Sequence, residues 1–158
     1  MRFTWADYSE PYYDIVESWL DETAVSGLGL DDGGWKSYYE YWAQDELSRL
    51  GENFWCKVIL NGDKPFAVAA LFMADDGSLN VAEYVVSPSL RSKGYGSSAL
   101  RELLTKGQDI IGQPISSASA IVYPNNVASQ RAFEKAGFKF DHAHPDGDAW
   151  VYSYRADE

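Results

Sequence analysis

The sequence is short of cysteine, of cations and of long apolar runs, and each shortage excludes a class of function. One cysteine, Cys56, stands among 158 residues, so neither a disulfide framework nor a cysteine-rich zinc site can be built. No stretch approaches the roughly 18 consecutive apolar residues of a membrane-spanning helix. Residues 1–20 carry Asp7, Glu10, Asp14 and Glu17 and no apolar core, unlike a secretory signal segment. The expectation is a reducing, cytoplasmic location with no membrane partner, although a secreted chain without disulfides would read the same. The 13 Lys and Arg against 24 Asp and Glu give a net charge of −11, the wrong sign for a nucleic-acid-binding surface. The two histidines, His142 and His144, lack carboxylate or cysteine neighbours at metal-ligand spacing. They read as flanking a turn, and no metal is expected.

What is present suffices for one domain spanning 1–158. The chain is 46% hydrophobic, long enough for a proper core, and free of repeats and low-complexity linkers. Its acid is unevenly spread. Residues 1–52 hold 12 Asp and Glu against 3 Lys and Arg, whereas the remainder holds 12 against 10. Solubility on helical faces accounts for such a surplus; so does an acidic surface that attracts a cationic ligand.

Hydrophobic periodicity divides the chain into elements. Arg2 to Trp5 is a short strand. Pro11 to Leu20 reads as a helix capped by Ser9, with Tyr12, Ile15, Val16, Trp19 and Leu20 on one side. Ser26 to Gly34 is a Gly- and Asp-rich loop, and Trp35 to Leu50 a second helix with a broad aromatic face. From Phe54 the period becomes strand-like. Phe54–Leu60, Phe66–Met73 and Leu79–Ser87 form a meander turned at Asn61-Gly62 and Asp76-Gly77. A helix from Gly96 to Lys106, a strand from Ser119 to Tyr123 and a helix from Val127 to Ala136 follow. Phe138–Asp141 and Trp150–Tyr154, either side of Pro145-Asp146-Gly147, close the chain as a hairpin. The order implies an α+β fold: a mixed, mostly antiparallel central sheet with helices on both faces. Cys56, in a β-rich run, reads as buried rather than reactive.

The segment from Val85 to Leu100 bears the chemistry. A strand stops at Pro88, and a turn with two cations, Arg91 and Lys93, and two glycines, Gly94 and Gly96, opens a helix. Glycines let a backbone approach a ligand closely, and amides at a helix N-terminus form a positive pocket suited to phosphate. A plain strand-to-helix turn would not need cations here, in a protein that is otherwise acidic. Gly94-Tyr95-Gly96-Ser97-Ser98-Ala99 fits the dinucleotide pattern G-x-G-x-x-A. That pattern belongs to a βαβ unit with an acid about 20 positions on. Here the preceding strands are hairpin-linked and residues 113–118 carry no acid, so the dinucleotide reading is excluded.

The loop resembles the acetyl-CoA motif of the GNAT N-acetyltransferase superfamily, Q/R-x-x-G-x-G/A, through Arg91, Gly94 and Gly96. Val86-Ser87-Pro88 matches the V-x-P that precedes it. A second stretch, from Asn126 through Ser129, Phe133 and Lys135 to Gly137-Phe138, is similar to the family helix beside the CoA arm. The element order is also that of the GNAT fold. Phe133-Glu134-Lys135-Ala136-Gly137-Phe138 followed by Pro145-Asp146-Gly147 bears a shorter resemblance to aminoglycoside 6'-N-acetyltransferases.

The resemblance implies an enzyme that passes the acetyl group of acetyl-CoA, as co-substrate, directly to an amine. Backbone groups of Tyr84, Val85 and Val86 would hold the acetyl and pantetheine part. Arg91, Ser92, Lys93, Gly94, Tyr95, Gly96 and Ser97 would bind the pyrophosphate, and Asn126, Ser129 and Phe133 would line the CoA arm. Phe133 stands where the family often has a tyrosine acid, so Tyr84, Tyr123 or water is left to protonate the thiolate. The family's glutamate base corresponds to Glu83. Strict alternation places Glu83 on the opposite face from Asn80, Ala82, Tyr84 and Val86, so only a β-bulge would turn it inward. The first two helices would shape the acceptor pocket. There Asp31, Asp32, Trp35 and Tyr38 suit an ammonium group, although core packing accounts equally well for the aromatics. The expected acceptor is a cationic small-molecule amine, aminoglycoside-like or polyamine-like. The alternatives are a peptide or protein N-terminus and a non-catalytic acyl-CoA sensor, and a homodimer is compatible with each.

Overall fold

The computed structural model describes residues 3–20, 34–44, 54–74, 76–122, 124, 126–145 and 149–156. Seven strands form one sheet in the order β1-β2-β3-β4-β5-β7-β6. In chain order they are β1 (Thr4–Asp7), β2 (Phe54–Asn61), β3 (Lys64–Met73), β4 (Leu79–Val86), β5 (Ser117–Val122), β6 (Lys139–Ala143) and β7 (Trp150–Arg155). All neighbours are antiparallel except β4 and β5. The mixed, mostly antiparallel sheet anticipated from the sequence is therefore present.

Helices cover both faces. On one lie α1 (Tyr13–Ser18) and α2 (Gly34–Gln44), whose Val16 and Trp35, with Trp19, pack on Cys56, Val58, Val68, Ala70 and Val85. On the other lie α3 (Tyr95–Thr105), α4 (Gly107–Ile111) and α5 (Val127–Ala136). Their Leu100, Leu103, Ile111 and Phe133 pack on Ile59, Ala67, Leu71, Val81 and Tyr84. From Ala67 to Leu71 the alternation of β3 divides it between the two cores, as a strand buried on both sides must, while Phe66, at an irregularity in the pairing with β2, joins the same core as Ala67.

Local differences from the sequence reading have local causes. The first helix begins as a 3-10 turn at Glu10–Tyr12 before α1. Ser9 makes no side-chain cap bond; its hydroxyl donates to the Asp7 carbonyl at 3.3 Å instead. Helix α4 has no counterpart in the reading, because five residues are too few to show a period. Helix α2 is described to Gln44, so the expected extension to Leu50 lies outside the described residues, as does most of the Ser26–Gly34 loop.

Buried Glu102 ties the N-terminal edge of the sheet to α3. Its carboxylate accepts the Phe3 N–H at 3.2 and 3.0 Å and the Trp5 indole N–H at 3.0 Å. Glu102→Ala would leave two donors without a partner in an apolar setting. The expected loss of stability is about 2–4 kcal/mol, read as a lowered urea midpoint with an unchanged m-value.

Candidate active site

β4 is the strand on which the site is built. Its pairing with β3 runs Ala67↔Val86, Val68↔Val85, Ala69↔Tyr84 and Ala70↔Glu83, then skips to Leu71↔Val81. Ala82 is the extra residue of a β-bulge, and the bulge resets the alternation. Leu79, Val81, Tyr84 and Val86 face α3 and α5. Ala82 and Val85 pack on the α1–α2 side, and Glu83 shares that side because it stands opposite Ala70. The strict alternation assumed from the sequence is corrected here. Glu83 stays opposite Tyr84 and Val86, on the face where the first two helices lie, and the bulge brings Asn80 and Ala82 to that same face.

Burial pushes the Glu83 carboxyl from its ordinary value up to about 8. Among the described residues burial alone accounts for the shift, and Glu83 nonetheless retains some solvent exposure. Such a carboxylic acid sits near neutrality, where a general base works best. On the same face, Asn80 holds a buried Oδ1 with no hydrogen-bond partner among the described residues.

The parallel pairing of β4 with β5 covers only Leu79, Asn80 and Val81, although β4 continues to Val86. Beyond Val81 the strands part. An open cleft of about 190 Å³ is lined by Tyr84–Val86, the loop at Leu90–Ser92, the start of α3, Asn126, and Ser129, Arg131 and Lys135 of α5. The Ser87 N–H bonds to the Phe66 carbonyl at 2.7 Å. By alternation, the peptide groups of Tyr84 and Val86 are then the ones directed away from β3.

The loop after β4 takes a left-handed turn at both Ser92 (φ 64) and Gly94 (φ 89), which aims the following amides together. The first intrahelical bond of α3 joins Ser98 N–H to the Gly94 carbonyl at 3.1 Å. The N–H groups of Tyr95, Gly96 and Ser97 thus lie beyond the helical ladder, beside the cleft. Gly96 is needed for closeness: a Cβ there would stand 3.2 Å from Val86 Cγ2.

Several anticipated site residues do other work. The Tyr84 hydroxyl donates to the Gly96 carbonyl at 2.9 Å, and burial raises its pKa. It clasps α3 to β4. Phe133 is 3% exposed and stacks edge-on against Tyr84 and Phe138, so it belongs to the core and not to the cleft wall. The Tyr95 ring packs edge-on against Phe66, leaving only its backbone to the loop. Lys93 is exposed at the rim. Asn126 caps α5, its Oδ1 accepting the Ser129 N–H at 3.2 Å, and the residue lines the cleft. Arg91 turns back on the protein: Nε donates to the Val86 carbonyl at 3.1 Å and Nη2 to the Trp19 carbonyl at 3.4 Å.

On the α1–α2 side, Trp35 is fully buried and donates its indole N–H to Cys56 Sγ at 3.3 Å. The expectation that it contacts an ammonium group is corrected: it is core. Burial holds the Cys56 thiol up at about 12, so it is inert at neutral pH. Asp31 and Asp32, the side chain of Tyr38, and Tyr123 lie outside the described residues. The sequence reading assigns no site role to Arg131 or Lys135. Their spacing with Ala128 and Ala132, at three- and four-residue steps along α5, was the available signal.

The family model described as Acetyltransferase (GNAT) family matches residues 6–138. Comparison with curated proteins finds no match to the sequence. Among solved structures, AAC(6')-Ib in complex with paromomycin and acetyl-CoA superimposes with a TM-score of 0.74 at 18% identity, over 98% of this chain and 94% of that one. A spermidine N-acetyltransferase chimera from Vibrio cholerae and hSSAT gives 0.72 at 12% identity, over 98% and 96%. The ribosomal-protein-S18-alanine N-acetyltransferase from Escherichia coli gives 0.62 at 16%, over 98% and 94%.

Proposed function

The chain belongs to the GNAT acetyltransferase family, and from that premise we propose that it acetylates a primary amine of a cationic small molecule, drawing the acetyl group from acetyl-CoA. The observation that carries the reading is the bulge in β4. Past it the strand has two working sides: a cleft edge beyond the pairing with β5, and a raised-pKa carboxyl toward α1 and α2.

The cofactor arm would lie along Tyr84–Val86, with the thioester carbonyl accepting a backbone N–H that stabilises the developing oxyanion. The pyrophosphate would take the free N–H groups of Tyr95, Gly96 and Ser97, and Asn126 would donate to the arm through its amide. The amine nitrogen attacks the thioester carbon from the other side, and Glu83 takes the proton it sheds. The C–S bond then breaks and CoA leaves as thiolate, which water protonates. With Tyr84 committed to Gly96 and phenylalanine at 133, no side-chain acid is assigned.

The acceptor class rests on charge and kinship. The first third of the chain carries most of the acid surplus. Two of the similar folds bear the names of acetyltransferases for aminoglycosides and for spermidine, both polycationic amines. A thiol-release assay across a panel of aminoglycosides, polyamines and peptide N-termini tests the reading. Turnover confined to polycations supports it; acetyl-CoA binding without thiol release for any amine overturns it.

The cations of α5 extend the same reading. Arg131 and Lys135 both line the cleft, where they would add positive charge for the cofactor's phosphates. The double variant R131A/K135A is expected to weaken CoA binding about tenfold. The salt dependence of binding should flatten as well, because the pair contributes long-range attraction. Titration of CoA at two ionic strengths checks both.

A further inference from the structure

Arg91 occupies the first position of the glycine loop, where a cation is expected to face phosphate. Its guanidinium instead bridges two backbone carbonyls: Val86, the last residue of β4, and Trp19, the C-cap of α1. The carbonyls at a helix C-terminus have no intrahelical partner, and a cation there also meets the negative end of the helix dipole. Trp19 is 4% exposed and belongs to the core cluster of Trp35, Cys56, Ala70 and Val85, the cluster beneath the face on which Glu83 lies. One side chain of the loop beside the cleft therefore grips the end of the helix on the opposite side of the sheet.

Resting on the acetyl-CoA reading above, we propose that Arg91 is a positioning residue that couples cofactor occupancy to the acceptor-side wall. A loop held by pyrophosphate holds Arg91, and Arg91 holds the C-terminal end of α1 beside the face from which the amine approaches. The coupling is reciprocal by linkage and is carried by restriction of motion rather than by a change of shape. The planar fork of arginine matters, since it sends two N–H groups in fixed directions to two carbonyls; lysine keeps the charge without that geometry.

Amide hydrogen exchange with CoA as the probe tests the coupling without knowledge of the acceptor. In the wild-type protein, saturating CoA should slow exchange more than tenfold at residues 92–97, and also at residues 16–20. In Arg91→Lys, at CoA concentrations that saturate the variant, protection at 92–97 should persist while protection at 16–20 falls to within twofold of the free protein. Equal protection of residues 16–20 in Arg91→Lys and wild type overturns the proposal, and so does wild-type protein in which CoA protects 92–97 alone. The latter outcome holds even if the variant fails to fold. Absence of protection at 92–97 in wild type is a different failure: it removes the cofactor reading itself, and the coupling with it.

Discussion

Glu83→Gln is expected to lower kcat/KM by about two to three orders of magnitude, the range for a lost general base, with the fold intact. Gln matches Glu in shape, so nothing in the packing of β4 against Ala70 changes. What changes is proton affinity. With the wild-type carboxyl raised to about 8, only about a tenth of it is ionised at pH 7. The rate should therefore climb about tenfold per pH unit below 8 and level off above. The variant should lose that component of the limb and keep only what the acceptor amine imposes.

Stability runs the other way. The folded state keeps a proton on Glu83 through a window, about pH 4.5 to 8, in which the unfolded chain has released it. Wild-type stability therefore falls as pH rises through that window. Gln carries no such penalty, so the variant should melt higher than wild type at pH 8.5 and equally at pH 4. A pH profile of unchanged shape, with activity within threefold of wild type, would remove Glu83 as the base.

Most of the fold could be read from the sequence because its signals are local. The Asn61-Gly62 and Asp76-Gly77 turns fix the meander, and the period change at Phe54 separates helices from sheet. The loop was equally legible, since Gly94 and Gly96 answer to backbone geometry that their own φ angles and contacts reveal. Side-chain destinations were not legible. Alternation alone set Asn80 and Ala82 on the face opposite Glu83, whereas both share its side, because a bulge is a property of two strands and Ala82 carries no mark of it. Arg91 reads as a phosphate ligand until α1, 72 positions earlier, is brought beside it.

The acid surplus also divides differently in three dimensions. Part of it is structural: Asp7 pairs with Lys57 at 2.7 Å. Glu17 caps α2 by accepting the Trp35 and Lys36 N–H groups at 2.9 and 3.0 Å, and Glu40 meets Lys36 at 3.7 Å. The charge left to attract an acceptor is correspondingly less than the count in the first 52 residues suggests.

Gly94→Asp is expected to abolish acetyl-CoA binding, with an affinity loss of at least about a thousandfold, while the protein still folds. A Cβ at Gly94 meets nothing within 4 Å, so the side chain has room. The left-handed φ of 89 strains any side chain, but Asp and Asn tolerate that region better than most. An aspartate at the cap of α3 even suits the helix, because its carboxylate faces the positive end of the dipole. That same carboxylate would stand where the amides of Tyr95, Gly96 and Ser97 are to receive pyrophosphate. Two unit charges at about 4 Å repel by about 4 kcal/mol in a partly screened site, which alone is about a thousandfold. Gly94→Asn separates charge from strain: it has the same shape and the same φ to adopt, and should bind acetyl-CoA within about tenfold of wild type. Isothermal titration of the two variants decides. If Asp and Asn weaken binding equally, backbone strain and not anion repulsion is responsible; if Asp binds as wild type does, the pyrophosphate does not lie at this helix.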